Sequence, residues 1–456
     1  MLDRDSLAVF LEAARRLDES FAGLPAFSPE APGKNRLEEV LLQTAERLRD
    51  NFPYFHPLYA GQMLKPPHPV ARLAYALAMW INPNNHALDG GRASSAMEKE
   101  AAAEIAAMFG WTTFLGHLCA GGTMANLEAL WVAGNIHPGK TILASAQAHY
   151  THARISGVLQ LPFESVACDR LGRMDLAALE KRLERGGVGA VVATLGTTAT
   201  GSVDPLPEIL ALRGRFGFRV HADAAYGGYF SLVDSLAAGA KRAFARIGEA
   251  DSVVIDPHKH GLQPYGCGCV LFRDPAAGRF YKHDSPYTYF SSGDLHLGEI
   301  SLECSRPGAA AVALWATQKL LPLVKGGEFA RSLARCRAAA LALHEKLRGD
   351  PRFLVPFEPE LDIVVFAPAA ATASEASALS RRIFSAAAGR DLHLALAELP
   401  AEFFAARAPA MRPDALTLTC LRSVLMKPEH LDWLPRIWSL LSAAADEART
   451  AKATGV

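Results

Sequence analysis

The residues best suited to chemistry lie in Ser252-Val-Val-Ile-Asp-Pro-His-Lys-His-Gly, where an apolar run ends and sets His258, Lys259 and His260 in succession. A desolvated lysine has its pKa lowered toward that of a usable amine nucleophile. In FRVHADAAYGGYF, Asp223 ends a second apolar run among alanines and glycines. A carboxylate there calls for a cationic partner, and the small residues after it leave room for something flat. In LCAGGTMANLEALW, Gly121, Gly122 and Thr123 open a helical pattern carrying Leu127, Leu130 and Trp131. The free N–H groups and dipole of such a helix start bind phosphate. Its glycines match neither nucleotide fingerprint, which disfavours a nucleotide-binding enzyme. In AHYTHAR, His149 follows an apolar run around Ile142 and suits an aromatic plate or a ligand. Metal is disfavoured there, because no cysteine or carboxylate stands at a ligand spacing. Thr197 and Thr198 follow another run, and Asp204-Pro205 reads as a helix N-cap with proline in the first turn. Taken singly, each has a plainer reading: a solvated lysine, a turn aspartate, a simple glycine turn, a packed histidine.

Taken together, an anion cradle, a flat histidine, a carboxylate and a lysine are what pyridoxal 5'-phosphate requires. Its phosphate needs a helix start, its ring nitrogen a carboxylate, and its aldehyde an amine that forms a Schiff base.

On HxDAAxGG followed by DPHKHG, the chain resembles the group II pyridoxal-phosphate amino-acid decarboxylases of fold type I, from about Asn51 to the carboxyl end. These include the aromatic-amino-acid, tyrosine and glutamate decarboxylases. The resemblance implies that Lys259 carries the cofactor, Asp223 pairs with the pyridine nitrogen and Ala225 lies under the ring. It further implies that His149 stacks on the other face, that Gly122, Thr123 and His258 contact the phosphate, and that Thr198 touches the cofactor. Gln62 and Arg422 fall where relatives carry substrate residues, and an arginine fork fits a carboxylate; a structural arginine at a strand end is the plainer reading. Arg306 matches a position near the cofactor, with no role assigned. For proton return the segment HDSPYTYFSSGDLHLGEISLECSR offers Tyr287, Tyr289 and His296. Phe52, Tyr54, Phe55 and Tyr59 would suit an aromatic L-amino acid, or form ordinary core; Arg422 would suit aspartate or glutamate, although aromatic decarboxylases carry an arginine there too, so an aromatic substrate is the expectation, with aspartate or glutamate next. An oxidative aldehyde synthase or a carbon–carbon lyase would use the same cofactor residues, and a cofactor-binding scaffold would not need them all. The resemblance also implies a homodimer with shared active sites.

These groups need a scaffold. Thr141-Ile-Leu-Ala, Ala190-Val-Val-Ala-Thr-Leu, Phe218-Arg-Val-His-Ala, Ser252-Val-Val-Ile and Cys269-Val-Leu-Phe read as strands, with helical patterns at 126–134 and 175–183 between them. Strands apolar throughout and alternating with helices imply an α/β fold, a mostly parallel sheet covered on both faces. Ligands then sit beyond the carboxyl ends of the strands, where the candidate residues fall. A helical segment and substrate loop (1–70), a large cofactor domain (71–325) and a small α+β domain (326–456) are expected. The stretch 51–69, rich in proline and aromatics, cannot be a regular element, and long irregular segments are often functional.

Lys plus Arg and Asp plus Glu number 47 each, so no bulk field recruits nucleic acid or an anionic membrane. Seven cysteines without CxxC pairs make neither a disulfide framework nor a zinc ribbon. No apolar run nears a membrane span, and the acidic amino end does not read as a signal peptide. A cytoplasmic enzyme is the expectation.

Overall fold

The computed structural model describes residues 3–25, 27, 33–282, 295–405 and 411–450. Its larger sheet has seven strands: Leu115–Cys119 (β1), Thr141–Ser145 (β2), Phe163–Val166 (β3), Val188–Thr194 (β4), Arg219–Asp223 (β5), Ser252–Ile255 (β6) and Gly268–Phe272 (β7). They lie in the order β1-β7-β6-β5-β4-β2-β3. β7 is antiparallel to both β1 and β6, and so runs against the other six. All seven residues of β4 are buried, which explains its unbroken Val-Gly-Ala-Val-Val-Ala-Thr run: helices cover both faces.

Because six strands point one way, their carboxyl ends share one edge. Helix Gly122–Ile136 starts there after β1, His149 lies after β2, Thr198 after β4, Asp223 ends β5, and Lys259 follows β6. The connectivity therefore gathers groups from Gly122 to Lys259 at one rim.

The second sheet contains Phe353–Leu354 (β8), Ile363–Pro368 (β9), Ala395–Pro400 (β10) and Thr417–Val424 (β11). Its order is β10-β11-β9-β8, antiparallel at every pair. Leu343, Phe366, Ile383, Leu421 and Leu441 form its core with the helices Glu328–Arg348, Ala373–Ala388 and His430–Thr450. The irregular stretch 51–69 is pinned to this smaller unit: Ala60 N–H donates to His393 O (2.9 Å) and accepts at its carbonyl from Val424 N–H (2.8 Å). Gly61 is required by that closeness, since a Cβ there would lie 2.6 Å from Leu394 O.

Asp204 differs from the sequence expectation. It caps nothing; helix Leu206–Phe216 begins after Pro205 without a side-chain cap. The fully buried carboxylate instead accepts from Met174 N–H (2.7 Å) and Thr194 N–H (2.8 Å), tying two connections across the end of β4. A nearby demand for acceptors outweighed the local Asp-Pro signal.

Candidate active site

A cavity of about 460 Å³ opens at the strand-end rim. Gly122, Thr123, His149, Thr198, Asp223, Ala225, His258 and Lys259, all predicted from sequence, line it.

Asp223 is the most constrained of them. Its Oδ2 accepts from His152 Nε2 at 2.8 Å, and its Oδ1 receives the Ala225 N–H at 3.2 Å. Burial alone would raise its pKa, but the His152 hydrogen bond and the proximity of His152, His221 and Lys259 reverse this. The carboxyl is thereby held well below the usual range and stays ionised. His221, on the same strand, is locked between Ser252 Oγ (2.8 Å) and Asn126 Oδ1 (2.7 Å), with burial lowering its pKa to about 3. One imidazole thus bonds to the anion directly, and a second, neutral one stands beside it on the same strand.

Lys259 turns back over its loop, its N–H bonded to Asp256 O, and places Nζ 3.0 Å from Asp256 Oδ2. Asp256 is itself 2% exposed, so the ammonium meets a desolvated counter-charge. His258 lies between them and the glycine turn, with Nδ1 donating to Cys267 O (2.8 Å) and Nε2 3.6 Å from Asp256 Oδ2. The glycines are needed for closeness. A Cβ on Gly122 would sit 2.7 Å from Asp256 Oδ2, and one on Gly121 3.1 Å from His258 Cε1. His149 Nδ1 accepts from Thr151 N–H (3.2 Å), and its ring packs on Tyr150 with centroids 4.4 Å apart. Partial burial lowers its pKa, favouring the neutral ring that a stacking role wants.

The residues fit pyridoxal phosphate on structural grounds. An amine, an ionised carboxylate and a helix start with unused N–H groups share one cavity, and buried Thr194 Oγ1 and Asp256 Oδ1 have no hydrogen-bond partner among the described residues.

Gln62 and Arg422 meet across 360 residues, with Arg422 Nη1 donating to Gln62 Oε1 at 3.0 Å. Neither lines the Lys259 cavity, but Tyr226, which does, interacts electrostatically with Arg422. Arg422 is 5% exposed, yet its Nε and Nη2 have no partner among the described residues.

Three expectations fall elsewhere. His296 is fully buried, caps the turn Leu297–Ile300 and accepts at Nδ1 from Leu88 N–H (3.1 Å); it is not on the cavity wall. Standing immediately before Leu297, it occupies the N-cap position of that turn. Arg306 is a clamp: Nη1 pairs with Glu98 Oε1 (2.8 Å) and Leu118 O, joining helix Leu88–Met108 to β1. Phe52, Tyr54 and Tyr59 pack on one another and on His393, and none of the four aromatics lines the Lys259 cavity. Tyr287 and Tyr289 lie outside the described residues.

Sequence reasoning missed two groups. His152 stands one helical turn after His149, and that i,i+3 spacing was the available signal. Asp256 was visible only as part of DPHKH; its role depends on the turn that folds Lys259 back toward it.

This arrangement, on a mostly parallel sheet with its lysine after β6, defines a site of the pyridoxal-phosphate type. Comparison with known proteins agrees. Residues 55–368 match the model described as the pyridoxal-dependent decarboxylase conserved domain. The chain therefore belongs to the pyridoxal-dependent decarboxylase family, and its cofactor is pyridoxal phosphate. An L-tyrosine decarboxylase of Enterococcus faecium is 28% identical over 73% of this chain and 72% of its own. A probable L-tyrosine/L-aspartate decarboxylase of Methanothermobacter thermautotrophicus is 29% identical over 67% of this chain and 82% of its own. Among solved structures, a TDC of Oryza sativa with PLP and tryptamine superposes with a TM-score of 0.76 at 19% identity, covering 98% of this chain and 99% of that one. At that identity the likeness speaks for the fold.

Proposed function

We propose that the chain releases carbon dioxide from an L-amino acid to give the corresponding amine, and that the substrate is aspartate or glutamate. The observation that carries the substrate choice is Arg422, buried with two guanidinium donors unused beside Tyr226. One carboxylate of a dicarboxylic amino acid departs, and the other needs a fixed cationic fork. An aromatic substrate is the second reading. It is favoured by the tyrosine decarboxylases among the relatives, and it lost its structural support when the four aromatics proved to lie away from the cavity.

When bound, pyridoxal phosphate supplies an electron sink conjugated to the substrate Cα. The chain supplies the rest. The N–H groups of Gly122 and Thr123 bind the phosphate at the helix start. Asp223, kept ionised by His152, would hold a proton on the ring nitrogen. His149 covers the ring and limits water access. Lys259 Nζ would carry the covalent attachment, and Asp256 Oδ2, 3.0 Å away, positions that amine at the cavity. With Arg422 gripping the side chain, the Cα–carboxylate bond is oriented for cleavage, its electron pair staying on the Cα side and carbon dioxide leaving. Proton return to Cα is assigned to Tyr287, with Tyr289 as the alternative.

Pairing with a second copy is part of this reading. Helices Arg4–Glu19 and Lys34–Leu48 bury no residue, and Val40, Leu41 and Leu42 are 50–64% exposed in a row that a second copy would cover. The testing experiment is a panel of purified holoprotein with L-aspartate, L-glutamate, L-tyrosine, L-phenylalanine and L-tryptophan, measuring carbon dioxide, amine, aldehyde and hydrogen peroxide. Carbon dioxide and amine from an acidic substrate support the proposal. Turnover of aromatic substrates alone refutes the substrate choice, and aldehyde with peroxide refutes simple decarboxylation.

A further inference from the structure

A second cavity, of about 310 Å³, shares no lining residue with the first. It opens where the two sheets' units meet. Arg72 and His260 come from the larger unit, Lys65 from the irregular stretch 51–69, helix Glu328–Arg348 forms one wall, and Lys427 follows β11.

Its polar content is mostly cationic and incompletely satisfied. Lys427 is 4% exposed and donates to Tyr59 O at 2.7 Å. Lys65 donates to Met426 O at 3.2 Å. An ammonium has three donors, and these are the single protein acceptors found for each among the described residues. His260 is wholly buried, its Nε2 3.2 Å from Asp362 Oδ2 and its Nδ1 unpartnered, and Arg72 Nε is buried without a partner among the described residues. Against these stand the carboxylates of Glu328 and Glu429, neither of which forms an ion pair with a lysine among the described residues. Burial lowers the pKa of both lysines, that of Lys427 to about 7 with the nearby Lys65 adding to the effect. The remaining wall is apolar, with Leu262, Leu321 and Phe329.

We propose that this cavity is a second binding site, for a small organic carboxylate whose head group sits between Lys65 and Lys427 and whose apolar part packs on Leu262, Leu321 and Phe329. A compact inorganic anion would leave that apolar wall uncovered. The site also touches the catalytic one through the chain itself. Gln62 and Arg422, in contact at 3.0 Å, lie three and five residues before Lys65 and Lys427 on the same two segments. Occupancy therefore changes substrate KM more than kcat. This consequence rests on the substrate role proposed for Arg422, whereas the binding site does not.

The test is calorimetric titration of the holoenzyme with hexanoate, in parallel with inorganic phosphate. Hexanoate binding that weakens at least about tenfold in Lys65→Met/Lys427→Met, and survives in Arg422→Leu, supports the proposal. Lys427→Arg, which keeps the charge, retains it. No hexanoate binding, or binding indifferent to the lysines, overturns it. So does binding lost in Arg422→Leu alone, which would place hexanoate in the catalytic pocket. Phosphate bound as tightly as hexanoate overturns the organic assignment. Should the double variant fail to fold, the single Lys427→Met protein is titrated against the same criterion. Failure of decarboxylation in the amino-acid panel leaves these outcomes readable, because they measure binding.

Discussion

Replacing His152 with leucine tests the electrostatic arrangement behind Asp223. The His152 Nε2 to Asp223 Oδ2 bond is 2.8 Å long, and the two side chains are 0% and 6% exposed, so water cannot take the place of the lost donor. A hydrogen bond to a buried charge contributes about 1.5–3 kcal/mol, and leaving the acceptor bare forfeits at least that much. Leucine fills nearly the same volume, which keeps any packing loss small. Urea unfolding of the cofactor-free protein should therefore show the variant destabilised by about 2 kcal/mol. The pH dependence follows from the depressed pKa of Asp223. A carboxylate depressed in the folded state contributes stability above its unfolded pKa, near 4, and loses it as pH falls through the folded value. Hence the deficit should be flat between pH 5 and 8. In an Asp223→Ala background the same leucine should cost almost nothing, giving a coupling energy of about 1.5–3 kcal/mol. Additive effects, or a deficit below about 0.5 kcal/mol, would refute the claim that His152 holds this carboxylate in its ionised state.

Three further outcomes are expected. Arg422→Leu should raise KM for the acidic substrate roughly 10- to 100-fold with kcat changed far less, read from initial rates, since it removes a fork rather than a reacting group. Lys427→Met should stabilise the protein below pH 7. Lys427, beside Lys65, Glu429 and Cys336, titrates at about 7 when folded and near 10.5 unfolded. The wild type is therefore penalised at low pH and recovers between those values, so the gain, roughly 1–3 kcal/mol after loss of the Tyr59 contact, should fade toward pH 10 in urea titrations. Val40→Glu/Leu41→Glu should shift the sedimentation coefficient from dimer to monomer, because it places two charges on the exposed apolar row of helix Lys34–Leu48; a monomeric wild type would defeat the pairing.

The strands most legible in the sequence were those buried on both faces. β2, β4, β5, β6 and β7 show as short apolar runs because the sheet leaves them no polar side. β1 and β3 did not: Leu-Gly-His-Leu-Cys and Phe-Glu-Ser-Val mix polar residues into four- or five-residue runs, and their pairing is set by neighbours far along the chain. The cofactor residues were legible because each follows a strand, and the parallel order carries them to one rim. Groups whose roles come from distant contacts were not. His152 takes its role from a carboxylate 71 residues on, Arg306 from Glu98, and the Lys65–Lys427 cavity from the meeting of two units.

The most direct measurement of the central claim is borohydride reduction of the yellow holoprotein, followed by digestion and mass mapping of the pyridoxyl group. The account predicts the label on Lys259, and its loss in Lys259→Ala. A label on Lys65 or Lys427, the lysines whose basicity burial depresses, would contradict it.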